Sequence, residues 1–303
     1  MQKGIAYGQL LQKSCTEWKQ VWGKVLLIQI LGNILSVLIF GILCSIEIIM
    51  LVLLGYNILG YTGSLADVTL PQLLTFWRTV LQTSGMLFIL VCIVINVVII
   101  LGINAFARSI IINWFHDSVK GKKIGFHQIR VYGKKFWNVL WKVEVIKGAT
   151  IVIPLVVVIG VVKNIVQKAG WNGIAIALVI IIIGYILFAA LTWIYVLFFM
   201  HPLLTEMKKV PSVSELLQTS WQFAKKNGLV FVVTFCLLIA IAMTVSLVLF
   251  SIETMITLPF ILLKSSIILA ILEVCRQIVG MLANMLRATY SWLFVFNVCY
   301  AKK

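Results

Sequence analysis

The sequence predicts an all-α, polytopic membrane helical bundle of about six transmembrane helices. Three observations predict it. Hydrophobic residues make up 62% of the 303 and charged residues only 11%, against about 45–50% and about 25% in soluble domains. The apolar residues gather in six long runs, each long enough to cross a bilayer, which takes roughly 17–25 residues or more with tilt. The cationic residues fall on alternate connections between those runs, as they do when one membrane side is cytoplasmic. No long polar block remains to build a soluble domain, so we treat 1–303 as one integral membrane domain.

The first run, Val25–Leu54, is apolar almost throughout and long enough to cross with tilt; it contains Asn33 and one carboxylate, Glu47, near its far end. Gly55, Gly60, Gly63 and Pro71 mark a loop after it, and Gln72–Gln82 is a short connector holding Trp77 and Arg78. The second span runs from about Gly85 to Ile112, with Asn96, Asn104 and Arg108 in its inner part. The third covers about Val145–Val162, with Pro154 as a predicted kink, and Lys163–Gly173 is a turn. Ile174–Met200 is the fourth and Leu229–Phe250 the fifth. Ser265–Tyr300 exceeds one span, which predicts a final span near Gly280–Tyr300 preceded by an outer-leaflet or re-entrant helix. One long kinked helix from Ser265 is the alternative.

Charge tests the threading. With both termini on the inner side, the inner segments hold Lys3, Lys13, Lys19, Lys24, the series from Lys120 to Lys147, and Lys208, Lys209, Lys225, Lys226, Lys302 and Lys303. The outer segments hold Arg78, Lys163, Lys168 and Lys264, leaving aside Arg276 in the C-terminal stretch whose path has two readings. That bias places the N- and C-termini in the cytoplasm, with the chain multi-pass in the cell membrane. It also accounts for the net charge of +16 without nucleic acid, which so basic a soluble protein would suggest. The N-terminus does not read as a cleaved signal peptide, because the run after it is too long.

Three inner segments carry an apolar stripe opposed by lysines, the pattern of helices lying in a membrane interface. In Gly121–Gly148, Phe126, Ile129, Tyr132, Phe136, Leu140 and Val143 share a face; Lys134, Lys135, Asn138 and Lys142 oppose it, with Trp137 and Trp141 near its edges. Residues 5–24 and 203–228 repeat the pattern, the latter with Trp221, Lys225, Lys226 and a capping box from Ser212 to Glu215. Each segment leads into two spans, which divides the chain into units 1–118, 119–202 and 203–303.

The inner helices LLQTSWQFAKKNG (Leu216–Gly228) and FHQIRVYGKKFWNVL (Phe126–Leu140), each leading into a span pair, resemble the six-span membrane domain of bacterial glycerophosphodiester phosphodiesterases and related uncharacterised bacterial membrane proteins. In those enzymes a soluble barrel supplies the acidic and histidine ligands. Nothing in this sequence supplies that barrel, so the resemblance implies a fold and no phosphodiesterase activity.

Chemical motifs are absent: no Walker A, HExxH, GxSxG or Gly-rich dinucleotide turn occurs. We expect no enzyme activity, cofactor or metal. His116, His127 and His201 have no ligand spacing and read as interfacial; the six cysteines read as packing residues. Ionisable groups inside a membrane are costly and mark function, so Glu47, Asn96, Asn104, Arg108, Glu273, Arg276 and Arg287 are the candidate intramembrane residues. Glu273 and Arg276, three apart, form a self-neutralising pair; Arg108 snorkels; Glu47 is a conceivable partner for Arg287. The candidate cytoplasmic interface is Lys134, Lys135, Trp137, Trp141, Trp221, Lys225 and Lys226. The function these residues suggest is a transport-linked permease-like or accessory subunit for export of, or tolerance to, a peptide or lipid. Its partners would be the bilayer, anionic lipid, and a cytoplasmic ATPase or another membrane subunit. A non-catalytic scaffold recruiting partners through the basic face is the alternative.

Overall fold

The structure, a computed structural model, describes residues 6–59, 84–170, 173–207, 209–262 and 266–302. They are all-helical, without a strand among them. The helices are α1 (Tyr7–Leu59), α2 (Ser84–Val119), α3 (Ile129–Ala169), α4 (Gly173–Phe198), α5 (Met200–Glu206), α6 (Val213–Lys226), α7 (Gly228–Leu262) and α8 (Ser266–Lys302). Six of them, α1 to α4 with α7 and α8, contain stretches long and apolar enough to cross a membrane. The chain is an integral, multi-pass membrane protein.

Local chemistry sets the breaks. α2 ends in a Schellman turn: Gly121, at φ 71°, donates to the Ser118 carbonyl, and Lys122 donates to that of Asp117. Gly170, at φ 66°, caps α3 and donates to the Val166 carbonyl. α3 therefore continues through Pro154 to Ala169, where a turn from Lys163 was expected. The Ser212 hydroxyl caps α6 by accepting from the Glu215 amide at 3.2 Å, and Asn227 separates α6 from α7. The uncertain C-terminal region is settled as one continuous helix, α8, rather than a re-entrant piece plus a span. The loop and connector expected over 55–82 lie mostly outside the described residues, as does Lys264.

The amphipathic segments are helical, but the first two do not stand apart from the spans that follow. Residues 7–24 begin α1 and 129–148 begin α3. At 1.5 Å per residue, the 53 residues of α1 extend about 80 Å, well past the roughly 30 Å of hydrocarbon. The spans pack as neighbours in the order α4, α3, α2, α1, α8, α7, an arc whose ends touch through aromatic side chains. Both chain ends lie together, because Asn297 of α8 donates to Ser14 and Glu17 of α1.

The core sits at this end, which also carries Lys13, Lys120, Lys135, Lys225 and Lys302; we call it the basic end. Trp114, Phe115, Phe136, Leu140, Leu216 and Phe296 are fully or almost fully buried there. The lysine-opposed face of the opening of α3 is thus turned onto protein: Phe136, Leu140 and Val143 are buried, while Phe126, just before the helix, stays exposed. By contrast, Val152, Ile180, Phe188, Leu247 and Phe250 in the apolar stretches are exposed, as lipid-facing residues are.

At Gly133, α3 lies tight against a side chain of α2: a Cβ there would stand 2.2–2.6 Å from the Phe106 ring. Gly133→Ala is expected to destabilise the α2–α3 pair by about 1–3 kcal/mol through overpacking. Gly148→Ala, which would meet nothing within 4 Å, should instead stabilise α3 by about 0.5–1 kcal/mol through helix propensity. Thermal unfolding in detergent should give opposite signs for the two variants.

Candidate functional site

Four carboxylates of the basic end each join two or more helices. Asp117 accepts from the Tyr132 hydroxyl, linking α2 to α3. Glu17 accepts from Asn297 at 2.6 Å. Glu206 accepts from Tyr300 at 2.6 Å and pairs with Lys120 at 3.1 Å, joining α5, α8 and α2; His116 faces the same tyrosine. Glu144 pairs with Arg108 across α2 and α3 and with Lys147 one turn along α3. Sequence reasoning named no partner for Arg108; the fold supplies Glu144.

Glu144 forms one wall of a cavity of about 580 Å³ inside the arc. α2 contributes Arg108, α3 contributes Glu144 and Lys147, α5 contributes His201, and α8 contributes Arg287 and Ser291. The remaining lining is mostly apolar, from residues such as Ile151, Leu197, Phe235 and Leu238. Arg287 has one hydrogen-bond partner among the described residues, the Ser246 hydroxyl at 3.5 Å, at the long limit for such a bond. His201 lies on the Trp292 ring, centroids 4.5 Å apart, so it belongs to the cavity wall rather than to an interface. Three basic side chains and one carboxylate face this space, leaving an excess of two positive charges. In a low-dielectric setting an excess of that size favours an anionic occupant.

The other sequence candidates divide by location. Glu47 accepts from Asn96 at 2.9 and 3.0 Å, joining α1 to α2. Glu47 is therefore not the partner of Arg287. Asn96 is twelve residues along α2 from Arg108, about 18 Å, so this pair stands well away from the cavity. Asn104 is half-buried. Glu273 and Arg276 pair with each other as expected, in the α8 segment farthest from the basic end. Arg108 and Arg287 are the two candidates that the fold brings together.

The interface candidates also divide. Lys134, Lys225 and Lys226 are exposed, as is Trp221. Lys135 donates to Asn113 at 3.3 Å. The indole nitrogens of Trp137 and Trp141 donate to the carbonyls of Gly102 and Val98, at 2.8 and 3.1 Å. Those two tryptophans clamp α3 onto α2. The side chains that sequence reasoning missed are Glu144, Lys147 and His201. One signal marked the first: Glu144 is the sole carboxylate between Asp117 and Glu206.

No group of three or more His, Cys, Asp or Glu residues able to hold a metal occurs among the described residues. Among the described cysteines, Cys92 and Cys299 are buried. No protein-family model, curated protein or solved structure matches the chain.

If Glu144 neutralises Arg108 within the fold, alanine at either position should lower the unfolding midpoint, and the double variant should cost less than the sum of the two. The coupling should be about 0.5–3 kcal/mol, measured as a double-mutant cycle in detergent. Strict additivity would rule out the coupling.

Proposed function

We propose that this protein is a transport-linked membrane subunit that takes an anionic amphiphile, a lipid or peptide, into the cavity between Arg108, Lys147 and Arg287. The observation that carries this reading is the charge of the cavity. Its cations outnumber its one carboxylate, while its walls suit an apolar chain, the usual mix of a small-molecule site. In this reading the basic end faces the cytoplasm of a bacterial cell, because cationic connections stay inside. Exposed Lys134, Lys225, Lys226 and Trp221 then form the surface available to a cytoplasmic ATPase or another subunit.

That same surface supports a second reading, a non-catalytic scaffold that holds partners or anionic lipid. The two differ in what the cavity does. Loss of the chain should raise sensitivity to an anionic amphiphile or halt its export, and Arg287→Gln and Lys147→Gln should reproduce that loss at normal protein levels. Charge-neutral Lys225→Gln/Lys226→Gln should do so only through a docked partner, seen as loss of copurification. If the cavity variants behave as wild type while the lysine variants lose a partner, the scaffold reading stands and the transport reading fails.

Orientation has its own test. Cys15 and Cys275 are exposed near opposite ends. In intact cells an impermeant maleimide should label Cys275, and label Cys15 only after permeabilisation. The reverse pattern would overturn the cytoplasmic placement of the basic end.

A further inference from the structure

We infer that the cavity is a site for a phosphate-bearing lipid: its headgroup is held by Arg108, Lys147 and Arg287, and its acyl chain passes between α4 and α7. This names the ligand class for the site proposed above and rests on that reading of the cavity. Three observations carry it.

Depth is the first. The charged groups lie where apolar helix gives way to the basic end: on α3 the uncharged stretch Gly148–Val162 follows Lys147 directly, and on α2 the apolar run precedes Asn104 and Arg108. That is the level of lipid phosphates. Phe235, Leu238, Ile239 and Ala242 on α7 carry the same cavity into the apolar zone.

Access is the second. α4 and α7 are the two ends of the arc. They meet near the basic end through Tyr195 and Phe198 against Phe231, with ring centroids 4.8 and 4.9 Å apart. Farther from the basic end, Leu191 and Ile194 on α4 and Ile239 and Met243 on α7 are exposed, and Ile194 and Ile239 also line the cavity. A membrane-embedded chain can therefore enter from the side. Met200, Leu204 and Phe296 are buried on the basic-end side, which disfavours entry of a water-soluble anion from there.

Charge is the third. Glu144 already neutralises one of the three cations, leaving two, and Arg287 is held by one long bond among the described residues. A phosphomonoester carries about −1.5 to −2 near neutrality, so it balances that excess where a phosphodiester, at about −1, balances half. Guanidinium and ammonium groups suit phosphate oxygens. The expected order is phosphatidic acid first, phosphatidylglycerol next, and phosphatidylcholine last.

Native mass spectrometry of the full chain, released from detergent with each lipid in turn, tests this. Phosphatidic acid should be retained about tenfold more tightly than phosphatidylcholine, a difference of about 1.4 kcal/mol. Arg287→Gln and Lys147→Gln should each remove most of that preference, while Arg276→Gln, whose partner is Glu273, should keep it. Ile239→Trp, at the α4–α7 opening, should weaken retention of the lipid without lowering the unfolding midpoint. Inorganic phosphate should displace the lipid only at far higher concentration. The inference is overturned if phosphatidylcholine is held equally, if Arg287→Gln binds as wild type, or if inorganic phosphate competes mole for mole. The last result would mark a free-anion site. Lipid retention lost in Arg287→Gln, with export or tolerance unchanged in cells, would retain this site and defeat the transport reading instead.

Discussion

The structure depends on where water ends. Inside a bilayer no hydrophobic force draws one apolar helix to another, because lipid chains are as apolar as the side chains. Outside it that force returns in full. The helices of this protein extend beyond the hydrocarbon at the basic end, and there they build a dense core of Trp114, Phe115, Phe136, Phe294 and Phe296. Within the apolar zone they expose Ile180, Phe188, Leu247 and Phe250. A bundle held chiefly at one end can leave two of its spans apart at the other. The arc and its side opening follow from that division, with no need for a special hinge.

The acidic residues take their meaning from the same layer. The chain has nine Asp and Glu against 25 Lys and Arg. At the basic end, Glu17, Asp117, Glu144 and Glu206 each tie helices together through Asn297, Tyr132, Arg108 or Tyr300. A carboxylate committed to such a joint is unavailable to neutralise other cations. The excess charge of the cavity is thus a consequence of how the fold is stitched: Glu144 serves two cations at once, and among the described residues no carboxylate pairs with Arg287.

Much of the fold was legible because membrane spans obey a simple composition rule. The six spans need only runs of apolar residues, and Val25–Leu54 or Ile174–Met200 state them outright. Less was legible wherever two helices meet. Trp137 and Trp141 have the composition of an interfacial belt, yet their partners are the backbone carbonyls of Gly102 and Val98. Backbone carbonyls leave no trace in side-chain patterning, so only the register of α2 on α3 reveals them. The apolar stripe of Phe136, Leu140 and Val143 was visible, but a stripe specifies burial and not whether lipid or protein covers it. Glu47 illustrates the reverse case. A lone carboxylate suggested a distant arginine, and an amide on the adjacent helix satisfied it.

The site was harder to see than the fold for a physical reason. Arg108, Glu144, Lys147, His201 and Arg287 come from four helices, and only Glu144 and Lys147 share one. No motif can record such a set, since its spacing is set by how the spans pack. What the sequence does carry is imbalance: charged groups placed where burial is costly, with too few opposite charges nearby. Arg108 and Arg287 met that criterion; Glu144 and Lys147 did not, because surrounding lysines made them look solvated. In this protein a charge is best judged by depth along its helix, not by the charges beside it. Lys142, five residues before Lys147, is exposed; one further turn and a half brings α3 to the cavity.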